Sequence, residues 1–564
     1  MTVFPTTKPV SRWEWLVPAA ISAVLIAACV LISPKKPVWF DEVITWIVAT
    51  DPSLSHMLQS LRYSADLAPA SYILLAQLWR HLFGSSVLAL RLLSALSLSG
   101  AVFASWSTLR HRVSFASAAY AHVAVFCASP ILLYQDVELR SYGVFVALMA
   151  LSLFLYVRLA TSRTPSVRLL LATVLSQAAL VLCHPYGVAY SAALLLALLA
   201  NDLDRRSFHL RAYIAISAGW LAFLPSLLPL FRLAQVGRTH SWTSAPGIAD
   251  LVTAYDLPYI SLLVGATCLV LLLAKVGRPS FENKMRVALT GLAGITVAAL
   301  VLKRVSMLGN VLTLVVLCAV AILAWRPPAA ALPGVKPLLY AAAALGVLPL
   351  AFLLAAQVLP PTFVPRYFLP TIFAAVIFLA AFFENAIAWF RARSGLHRAV
   401  FSAALISLLL APLYGAARLP PSDVPPNGVS AAALRPLAPA GLPVVVEDPF
   451  AFLPLYFGHD ANAPRCVYIL NRQAANASRF SSATINFDLL LRLHDYGYLE
   501  NYVLTQPAFL ASNRTFLVLH KPGFAWFNMV VQQNPRYVWH ELGRMNGSVL
   551  LEVTLTTLSP RQQL

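Results

Sequence analysis

Long apolar runs separated by short polar segments fill the first three quarters of the chain. Each run has about 17–25 residues, which is enough for a helix to cross a bilayer core of roughly 30 Å. We place them at 15–33, 86–109, 114–133, 141–160, 167–183, 186–200, 212–231, 257–274, 287–302, 306–325, 337–357, 366–390 and 398–417. The pattern predicts a mainly α-helical, polytopic membrane protein with about thirteen spans.

One further apolar stretch, residues 68–83, is shorter and carries Gln77, Arg80 and His81. An amphipathic helix of this kind lies along the membrane interface and keeps its polar face in water. We therefore expect a helix that does not span. It belongs to the first outer loop, residues 34–85, which is the longest segment between predicted spans.

The chain changes character after residue 418. Residues 419–428 are rich in proline and have the composition of a linker. Beyond them, short β-like runs alternate with helical stretches, which predicts a small α/β domain. The β-like runs are 444–447, 466–470, 516–520 and 549–554, and the helical stretches lie near 450–458, 487–496 and 524–533. The sequence therefore predicts two domains. The first is a transmembrane module at 1–418, which includes the first outer loop, and the second is an α/β domain at 419–564.

The distribution of basic residues predicts the orientation of the chain. There are 41 Lys and Arg against 22 Asp and Glu, a net charge of +19. With the N-terminus in the cytoplasm, 19 of the 31 basic residues before position 420 lie on the inner side, and every short inner loop carries some of them. The α/β domain is then extracytoplasmic. We expect a multi-pass protein of a bacterial inner or plasma membrane.

Composition excludes other classes of protein. The chain is 59% hydrophobic and 11% charged, whereas a soluble protein has about 25% charged residues. Its basic residues lie at the ends of apolar runs, which argues against nucleic acid as a partner. Five of the six cysteines lie in apolar segments, so Cys466 stands alone in the α/β domain and no disulfide is expected there.

Charged residues cluster at the predicted outer face. A charged residue in or beside a span is energetically costly, so each of them is a candidate functional residue. Basic residues on the outer face run against the usual preference of Lys and Arg for cytoplasmic loops. A membrane-anchored phosphate would explain their presence, because Lys can bind it as a point charge and Arg as a planar fork. A carboxylate near such a phosphate could take a proton from an attacking hydroxyl. The candidate site residues are Asp41, Glu42, Asp66, Asp136, Glu138, Arg140, His184, Lys303, Arg304, Arg366 and Tyr367.

Each candidate also has a structural interpretation. The acidic pair after the first span can flank or cap a helix in a solvated loop, and His184 beside Pro185 can end one. The basic pair at 303–304 can snorkel at a short turn. The charges of the second outer loop, residues 134–142, can pair with one another. Arg366, at the head of a long apolar run, is a better candidate. No cluster has transition-metal spacing, and there is no phosphate loop or dinucleotide fingerprint.

Four motifs occur in a recognisable order, and together they resemble the GT-C superfamily of membrane glycosyltransferases. Within it, the chain is similar to the branch of the protein O-mannosyltransferases and the lipid A aminoarabinose transferases. The motifs are Asp41-Glu42 just beyond the first span, the stretch that begins Asp66-Leu-Ala-Pro69, Glu138-Leu-Arg-Ser-Tyr142, and Arg366-Tyr-Phe-Leu-Pro370. Pro69-Ala70 stands where the family usually has two prolines, so the local turn departs from the pattern.

The resemblance implies a transmembrane catalytic module, a polyprenyl-phosphate sugar donor, a site on the outer face and inversion at the anomeric carbon. Asp41 would be the catalytic base and Arg366 would bind the donor phosphate. Glu42, Asp136 and Glu138 would shape the sugar or acceptor site. Some members of the family need a divalent cation and others do not, and the sequence leaves both open. The expected partners are the lipid-linked donor, a hydroxyl acceptor and membrane lipid.

Two other functions remain open from the residues alone. A transporter or flippase for lipid-linked or anionic substrates predicts midplane charges on broken helices and two related halves. The charges here cluster at one face and no internal repeat is evident, which favours the transferase. A membrane scaffold whose outer domain binds a partner is the second alternative, and it gives no reason for acidic and basic residues to share the outer face.

Overall fold

A computed structural model describes residues 10–63, 65–66, 68–227, 246–255, 335–358, 363–390, 395–422, 428–458, 463–480 and 482–556. In this part of the chain the structure is mainly helical, with one β-sheet near the C-terminus. The predicted fold class, a helical membrane protein with a small C-terminal α/β domain, is therefore confirmed.

The helices of the described residues, in chain order, are α1 (Leu16–Ile32), α2 (Phe40–Ala49), α3 (Leu54–Arg62), α4 (Ala70–Phe83), α5 (Val87–Arg110), α6 (Phe115–Ala128), α7 (Pro130–Asp136), α8 (Tyr142–Thr161), α9 (Val167–Cys183), α10 (Gly187–Arg205), α11 (Leu210–Ala218), α12 (Ile248–Ala254), α13 (Val335–Ala355), α14 (Ile372–Phe390), α15 (Gly395–Arg418), α16 (Ala431–Leu434), α17 (Pro449–Phe457), α18 (Arg472–Ala477), α19 (Ser482–Asp495) and α20 (Gln506–Ser512). Tighter 3-10 segments occupy Arg12–Trp15, Gly219–Phe223 and Pro365–Thr371, and a π-helical segment occupies Phe527–Gln532.

Seven of the described helical segments are long and apolar enough to cross a membrane, and the chain is an integral membrane protein. They are Arg12–Ile32, Val87–Arg110, Tyr142–Thr161, Gly187–Arg205, Leu210–Leu227, Val335–Ala355 and Pro365–Glu384. Helices α6 and α7 meet at a 66° bend and form an eighth span when taken together. Helix α9 and residues Ser402–Arg418 of α15 are apolar but shorter.

Ten of the thirteen predicted spans coincide with these helices, counting the bent pair and the two shorter ones. The spans predicted at 257–274, 287–302 and 306–325 lie outside the described residues. The structure thus bears out the polytopic helical character, while the count of thirteen stays a prediction.

Serine caps begin several of the helices. The side chains of Ser114, Ser129 and Ser166 each accept a hydrogen bond from an amide of the first turn, at the starts of α6, α7 and α9. Such caps satisfy amides that have no partner inside the helix. The bend between α6 and α7 arises where Ser129 caps the second helix and Pro130 follows at its first position.

Contacts within the chain divide it into two compact units. Unit 1 comprises residues 1–31, 91–232 and 243–418, and it contains most of the spanning helices. Unit 2 comprises residues 32–90, 233–242 and 419–564. The first outer loop, with α2, α3 and α4, therefore clusters with the C-terminal α/β domain.

The sheet of unit 2 has six strands in the order β3-β2-β1-β4-β6-β5. They are β1 (Val444–Val446), β2 (Cys466–Leu470), β3 (Val503–Thr505), β4 (Thr515–His520), β5 (Tyr537–Met545) and β6 (Ser548–Leu555). The first four are parallel, and β6 and β5 extend the sheet in antiparallel pairing. Strands β1, β2, β4 and β6 were predicted, whereas β3 and β5 were not.

Candidate functional site

The acidic pair at the start of the first outer loop lies in the first turn of α2, in unit 2. Glu42 is fully buried and Asp41 is partly exposed. Carboxylates in the first turn of a helix interact favourably with the positive end of the helix dipole, so this pair also has a structural role in stabilising α2. Asp41 nevertheless keeps the access to solvent that a base acting on a substrate requires.

Asp66 has a structural task in the same unit. Its Oδ2 accepts a hydrogen bond from Thr45 Oγ1 of α2 at 3.0 Å, and its Oδ1 accepts one from the amide of Ala68 at 2.7 Å. The side chain thereby fastens the turn before α4 to the helix that carries Asp41. Among the predicted residues, Asp66 thus supports the loop, and its part in binding substrate stays a prediction.

In unit 1, the second predicted outer loop is a short turn between α7 and α8 that contains Glu138 and Arg140. Ser94 Oγ of α5 donates to the carbonyl of Glu138 at 2.6 Å, with the carbonyl of Arg140 3.3 Å away. The next helix approaches α5 closely, because a Cβ added at Gly143 would lie 2.7 Å from the carbonyl oxygen of Ser94. Packing of α5 therefore sets the course of this turn.

Asp136, the last residue of α7, is completely buried. Among the residues that the structure describes, neither of its carboxylate oxygens has a hydrogen-bond partner. A buried polar group without a partner carries a large desolvation penalty, and such groups in native proteins need an explanation. One explanation is a ligand hydroxyl that would donate to this carboxylate.

Arg366 lies in the 3-10 segment that precedes α14, and its Nε donates to the Tyr142 hydroxyl at 2.8 Å. Its guanidinium carbon is 5.9 Å from the centre of the Tyr142 ring and 5.8 Å from that of Tyr367. Aromatic faces attract a guanidinium at these distances. The hydrogen bond and the two rings hold the group at the first turns of α8 and of the segment leading to α14.

His184 joins the same cluster from the turn between α9 and α10. Its ring centre lies 5.9 Å from that of Tyr142, 5.0 Å from Tyr367 and 5.6 Å from Tyr186. The Tyr186 amide donates to His184 Nδ1 at 3.2 Å, so the proton of the neutral ring resides on Nε2. We call these residues, with Arg366, the arginine–tyrosine cluster.

The surroundings of His184 determine whether its ring is charged. Burial lowers the pKa of His184 to about 3, and the positive charges of Arg140 and Arg366 lower it further in the same direction. His184 is therefore neutral at physiological pH and offers a ring N–H rather than a charge. The two guanidinium groups supply the positive potential of the cluster.

Helix ends add to that potential. Helix α8 begins at Tyr142, α10 begins immediately after Tyr186, and the segment leading into α14 begins beside Arg366. A helix N-terminus carries a partial positive charge and free amides, so it favours anions. The cluster thus combines cations, tyrosine hydroxyls and helix N-termini, a combination that suits a phosphate.

The structure brings only some of the predicted residues together. His184, Arg366 and Tyr367 lie in the arginine–tyrosine cluster, and Arg140 is close enough to act on His184 electrostatically. Asp41, Glu42 and Asp66 belong to the other unit. Lys303 and Arg304 lie outside the described residues. Within the described residues, no group of three or more His, Cys, Asp or Glu is arranged to hold a metal ion.

Tyr142, Tyr186 and Ser94 are components that the sequence-based candidates omitted. Tyr142 and Tyr186 each adjoin a predicted motif, so an aromatic residue beside a charged one at a helix start is a usable signal for them. Ser94 lies inside a predicted span and carries no such signal. Its role arises from packing between α5 and α8.

Comparisons with known proteins yield structural neighbours only. No protein-family model matches the sequence, and neither does any curated protein. Among solved structures, the chain is similar to ArnT from Cupriavidus metallidurans, both bound to undecaprenyl phosphate and in the apo state. In each case the sequences are 14% identical, the TM-score is 0.42, and the match covers 96% of this chain and 98% of the neighbour.

Proposed function

We propose that this protein is an inverting glycosyltransferase that moves a sugar from a polyprenyl-phosphate carrier to a hydroxyl acceptor at the outer face of the membrane. The observation that carries the proposal is the arginine–tyrosine cluster, which unites Arg366, Tyr142, His184 and Tyr367 at the ends of apolar helices.

A lipid-linked phosphate matches both parts of this environment. The long apolar chain of the carrier is compatible with the spanning helices, whose surfaces are apolar along their length. The phosphate matches Arg366 and Arg140, because guanidinium groups bind phosphate oxygens as a planar fork. The neutral Nε2–H of His184 can donate a further hydrogen bond without repelling either arginine.

Asp41 is the proposed base. It would accept the proton of the acceptor hydroxyl as that oxygen bonds to the anomeric carbon. The bond from the anomeric carbon to the phosphate oxygen breaks in the same displacement, and its electrons leave on the polyprenyl phosphate. One displacement inverts the anomeric centre. Arg366 and Arg140 would stabilise the charge that develops on the departing phosphate.

The remaining carboxylates fit hydrogen-bonding roles toward hydroxyl groups. Asp136 is buried and lacks a partner among the described residues, so a sugar or acceptor hydroxyl would relieve its desolvation penalty. Glu42 and Glu138 are fully buried, and they lie close in sequence to Asp41 and Arg140 respectively. They are proposed to shape the sugar or acceptor site. Lys303 and Arg304 are proposed to assist with the phosphate.

The test is transfer by purified protein supplied with radiolabelled polyprenyl-phosphate sugars and simple hydroxyl acceptors. Wild type should form a new glycosidic bond in detergent, without a sealed compartment. Asp41→Asn should lower turnover by about 10²–10⁴-fold, the usual contribution of a general base. The charge change is in a partly exposed side chain, so the variant should fold normally.

Asp204→Asn is the matched control, because Asp204 forms a partly exposed ion pair with Lys336 and is not one of the candidate site residues. It should retain full turnover. Retained turnover in Asp41→Asn would remove Asp41 from the reaction. Turnover in neither protein, together with movement of a lipid-linked substrate across sealed vesicles, would favour a flippase.

A further inference from the structure

Two arginines of unit 1 lie close together at the ends of α5 and α8, on the side that the charge pattern predicts to be cytoplasmic. Arg112 lies just beyond the end of α5, and Arg158 is in the last turn of α8. Burial lowers the pKa of Arg112 to about 10, and the nearby positive charge of Arg158 lowers it in the same direction. Both side chains remain charged at physiological pH. We call them the inner arginine pair.

Other basic residues on the same predicted side have carboxylate partners. Arg110 binds Glu14 at 2.7 Å, and Lys336 binds Asp204 at 2.8 Å. The carboxylate of Glu384, which reaches the start of α6, is engaged there by an amide and a hydroxyl group. Within the part of the chain that the structure describes, the inner arginine pair forms no ion pair with a carboxylate.

Membrane topology explains why each arginine is present, but it does not explain why the two lie together. Basic residues near the cytoplasmic ends of spans orient a membrane protein without having to adjoin one another. Two like charges that approach each other repel. Arg112 donates one N–H to the carbonyl of Thr108, but its enclosed Nε has no hydrogen-bond partner among the described residues. The protein itself therefore satisfies this guanidinium only in part, and an anion would offset the repulsion.

The surface of α8 next to the pair is apolar. Leu151, Phe154 and Arg158 follow one another at spacings of three and four residues, so they lie on one face of the helix. Leu151 is 41% exposed, and the guanidinium carbon of Arg158 lies 5.2 Å from the centre of the Phe154 ring. An apolar strip thus leads along the span to the two cations. A free anion would use only the cations, whereas a lipid would use both.

Guanidinium groups bind phosphate oxygens as a planar fork, and both arginines lie at the end of a spanning helix, where phospholipid headgroups are found. Basic sites between spanning helices on the cytoplasmic side bind anionic headgroups, and anionic lipids are abundant in that leaflet. A zwitterionic lipid fits less well, because its own cation accompanies the phosphate. We propose that the inner arginine pair binds the phosphate of an anionic phospholipid. This inference does not depend on the proposed function.

The experiment is native mass spectrometry of the full chain, delipidated in an uncharged detergent and titrated with phosphatidylglycerol or phosphatidylcholine. The first phosphatidylglycerol should bind more tightly than phosphatidylcholine, and an excess of inorganic phosphate should not displace it. Arg112→Gln and Arg158→Gln should each weaken the binding of that first lipid about 10–100-fold, the effect of losing a hydrogen bond from a charged group. The binding of phosphatidylcholine should stay unchanged.

Thermal unfolding separates lipid binding from a purely structural role. Without lipid, Arg158→Gln should keep or raise the Tm of wild type, because it removes one of two charges that repel each other. Phosphatidylglycerol should raise the Tm of wild type, since a ligand stabilises the state that binds it. The same lipid should raise the Tm of Arg158→Gln much less.

Arg168→Gln is the matched control, because Arg168 is an exposed basic residue near the start of α9, on the same predicted side but outside the pair. It should bind phosphatidylglycerol like wild type. The proposal is overturned if the two pair variants bind this lipid as tightly as wild type, or if Arg168→Gln weakens binding as much as they do. Equal affinity for phosphatidylcholine, or displacement of the lipid by inorganic phosphate, would overturn it as well.

Discussion

At the scale of single residues, the position of the Arg366 guanidinium depends on a partner 224 positions away in the chain. The Tyr142 hydroxyl accepts its Nε–H at 2.8 Å, and the rings of Tyr142 and Tyr367 lie 5.9 and 5.8 Å from its guanidinium carbon. A guanidinium binds phosphate well only when its fork is correctly oriented. Under the proposed function, the tyrosine hydroxyl would orient Arg366 for the donor phosphate without touching the donor.

Tyr142→Phe tests this dependence. The variant keeps the ring but removes the hydrogen bond that orients Arg366. We expect the apparent KM for the polyprenyl-phosphate donor to rise about 10–100-fold, in line with one hydrogen bond to a charged group. The KM for the acceptor should stay unchanged. Steady-state kinetics with each substrate varied in turn measures both.

Tyr414→Phe serves as the control, because Tyr414 is 60% exposed on α15. It should leave both constants unchanged. An equal rise in both KM values in Tyr142→Phe would indicate a general disturbance of the fold. An unchanged donor KM would separate the Tyr142–Arg366 pair from phosphate binding.

At the scale of secondary-structure elements, the close approach of α8 to α5 sets the turn that carries Glu138 and Arg140. Gly143 permits it, because any Cβ there would lie 2.7 Å from the carbonyl oxygen and 2.8 Å from the Cα of Ser94. Backbone atoms cannot move aside as a flexible side chain can. A larger residue must therefore push the two helices apart.

Gly143→Ala should lower both stability and activity. Overpacking of this kind costs about 1–3 kcal/mol, and displacement of α8 would move Tyr142 and Arg140 with it. Thermal unfolding in detergent, followed by tryptophan fluorescence, should show a lower Tm. The transfer assay should show a parallel loss.

Gly100→Ala on α5 is the matched comparison, since a Cβ at Gly100 meets nothing within 4 Å. There the helix should gain about 0.5–1 kcal/mol from the replacement of glycine. If Gly143→Ala behaved like Gly100→Ala, the contact between α8 and α5 would be looser than the structure indicates.

At the scale of the whole molecule, residues more than 400 positions apart join the first outer loop to the α/β domain within unit 2. Asp51 Oδ2 accepts the Tyr498 hydroxyl at 2.6 Å and lies 2.6 Å from His56 Nδ1, while His56 Nε2 lies 2.8 Å from the carbonyl oxygen of Tyr496. The Ser60 hydroxyl is 3.0 Å from that of Tyr498. The loop that carries Asp41 is therefore fixed to the domain by partly buried polar contacts.

The charge of Asp51 makes this connection sensitive to acid. Burial acts to raise the pKa of Asp51, but hydrogen bonds from Tyr498, Ser53 and His56 outweigh it and hold the pKa below its usual value. The stabilisation is therefore complete above about pH 4, the pKa of an aspartate in an unfolded chain. It is lost as the pH falls through the lower pKa of the folded protein.

Asp51→Asn should destabilise unit 2 by roughly 2 kcal/mol at pH 7, the usual effect of losing hydrogen bonds to a charged group. The difference in Tm from wild type should be constant between pH 5 and pH 7 and should narrow toward pH 3. Asp488→Asn, which removes a partly exposed ion pair with Arg472, should change Tm little at any of these pH values. A difference for Asp51→Asn that grew toward pH 3 would contradict the sign of the shift.

Local patterns explain which parts of the fold were predictable. Hydropathy located the ten spans that fall within the described residues, because a run of apolar side chains must enter the membrane whatever its neighbours are. The buried strands β1, β2 and β4 were visible for a similar reason, as short apolar runs. Strand β5 was missed because the exposed polar residues His540, Glu541 and Arg544 interrupt its apolar pattern. The Asn546-Gly547 turn that joins it to β6, where both residues have positive φ, was the available signal.

By itself, then, the sequence determined the membrane character, the positions of the spans, the α/β domain and the order of the charged motifs. These properties depend on neighbouring residues, so they can be read along the chain. Only the tertiary structure decided that Tyr142 holds Arg366 and that Asp51 meets Tyr498. Each of these depends on packing between segments distant in sequence, and no local pattern encodes the distance between two side chains.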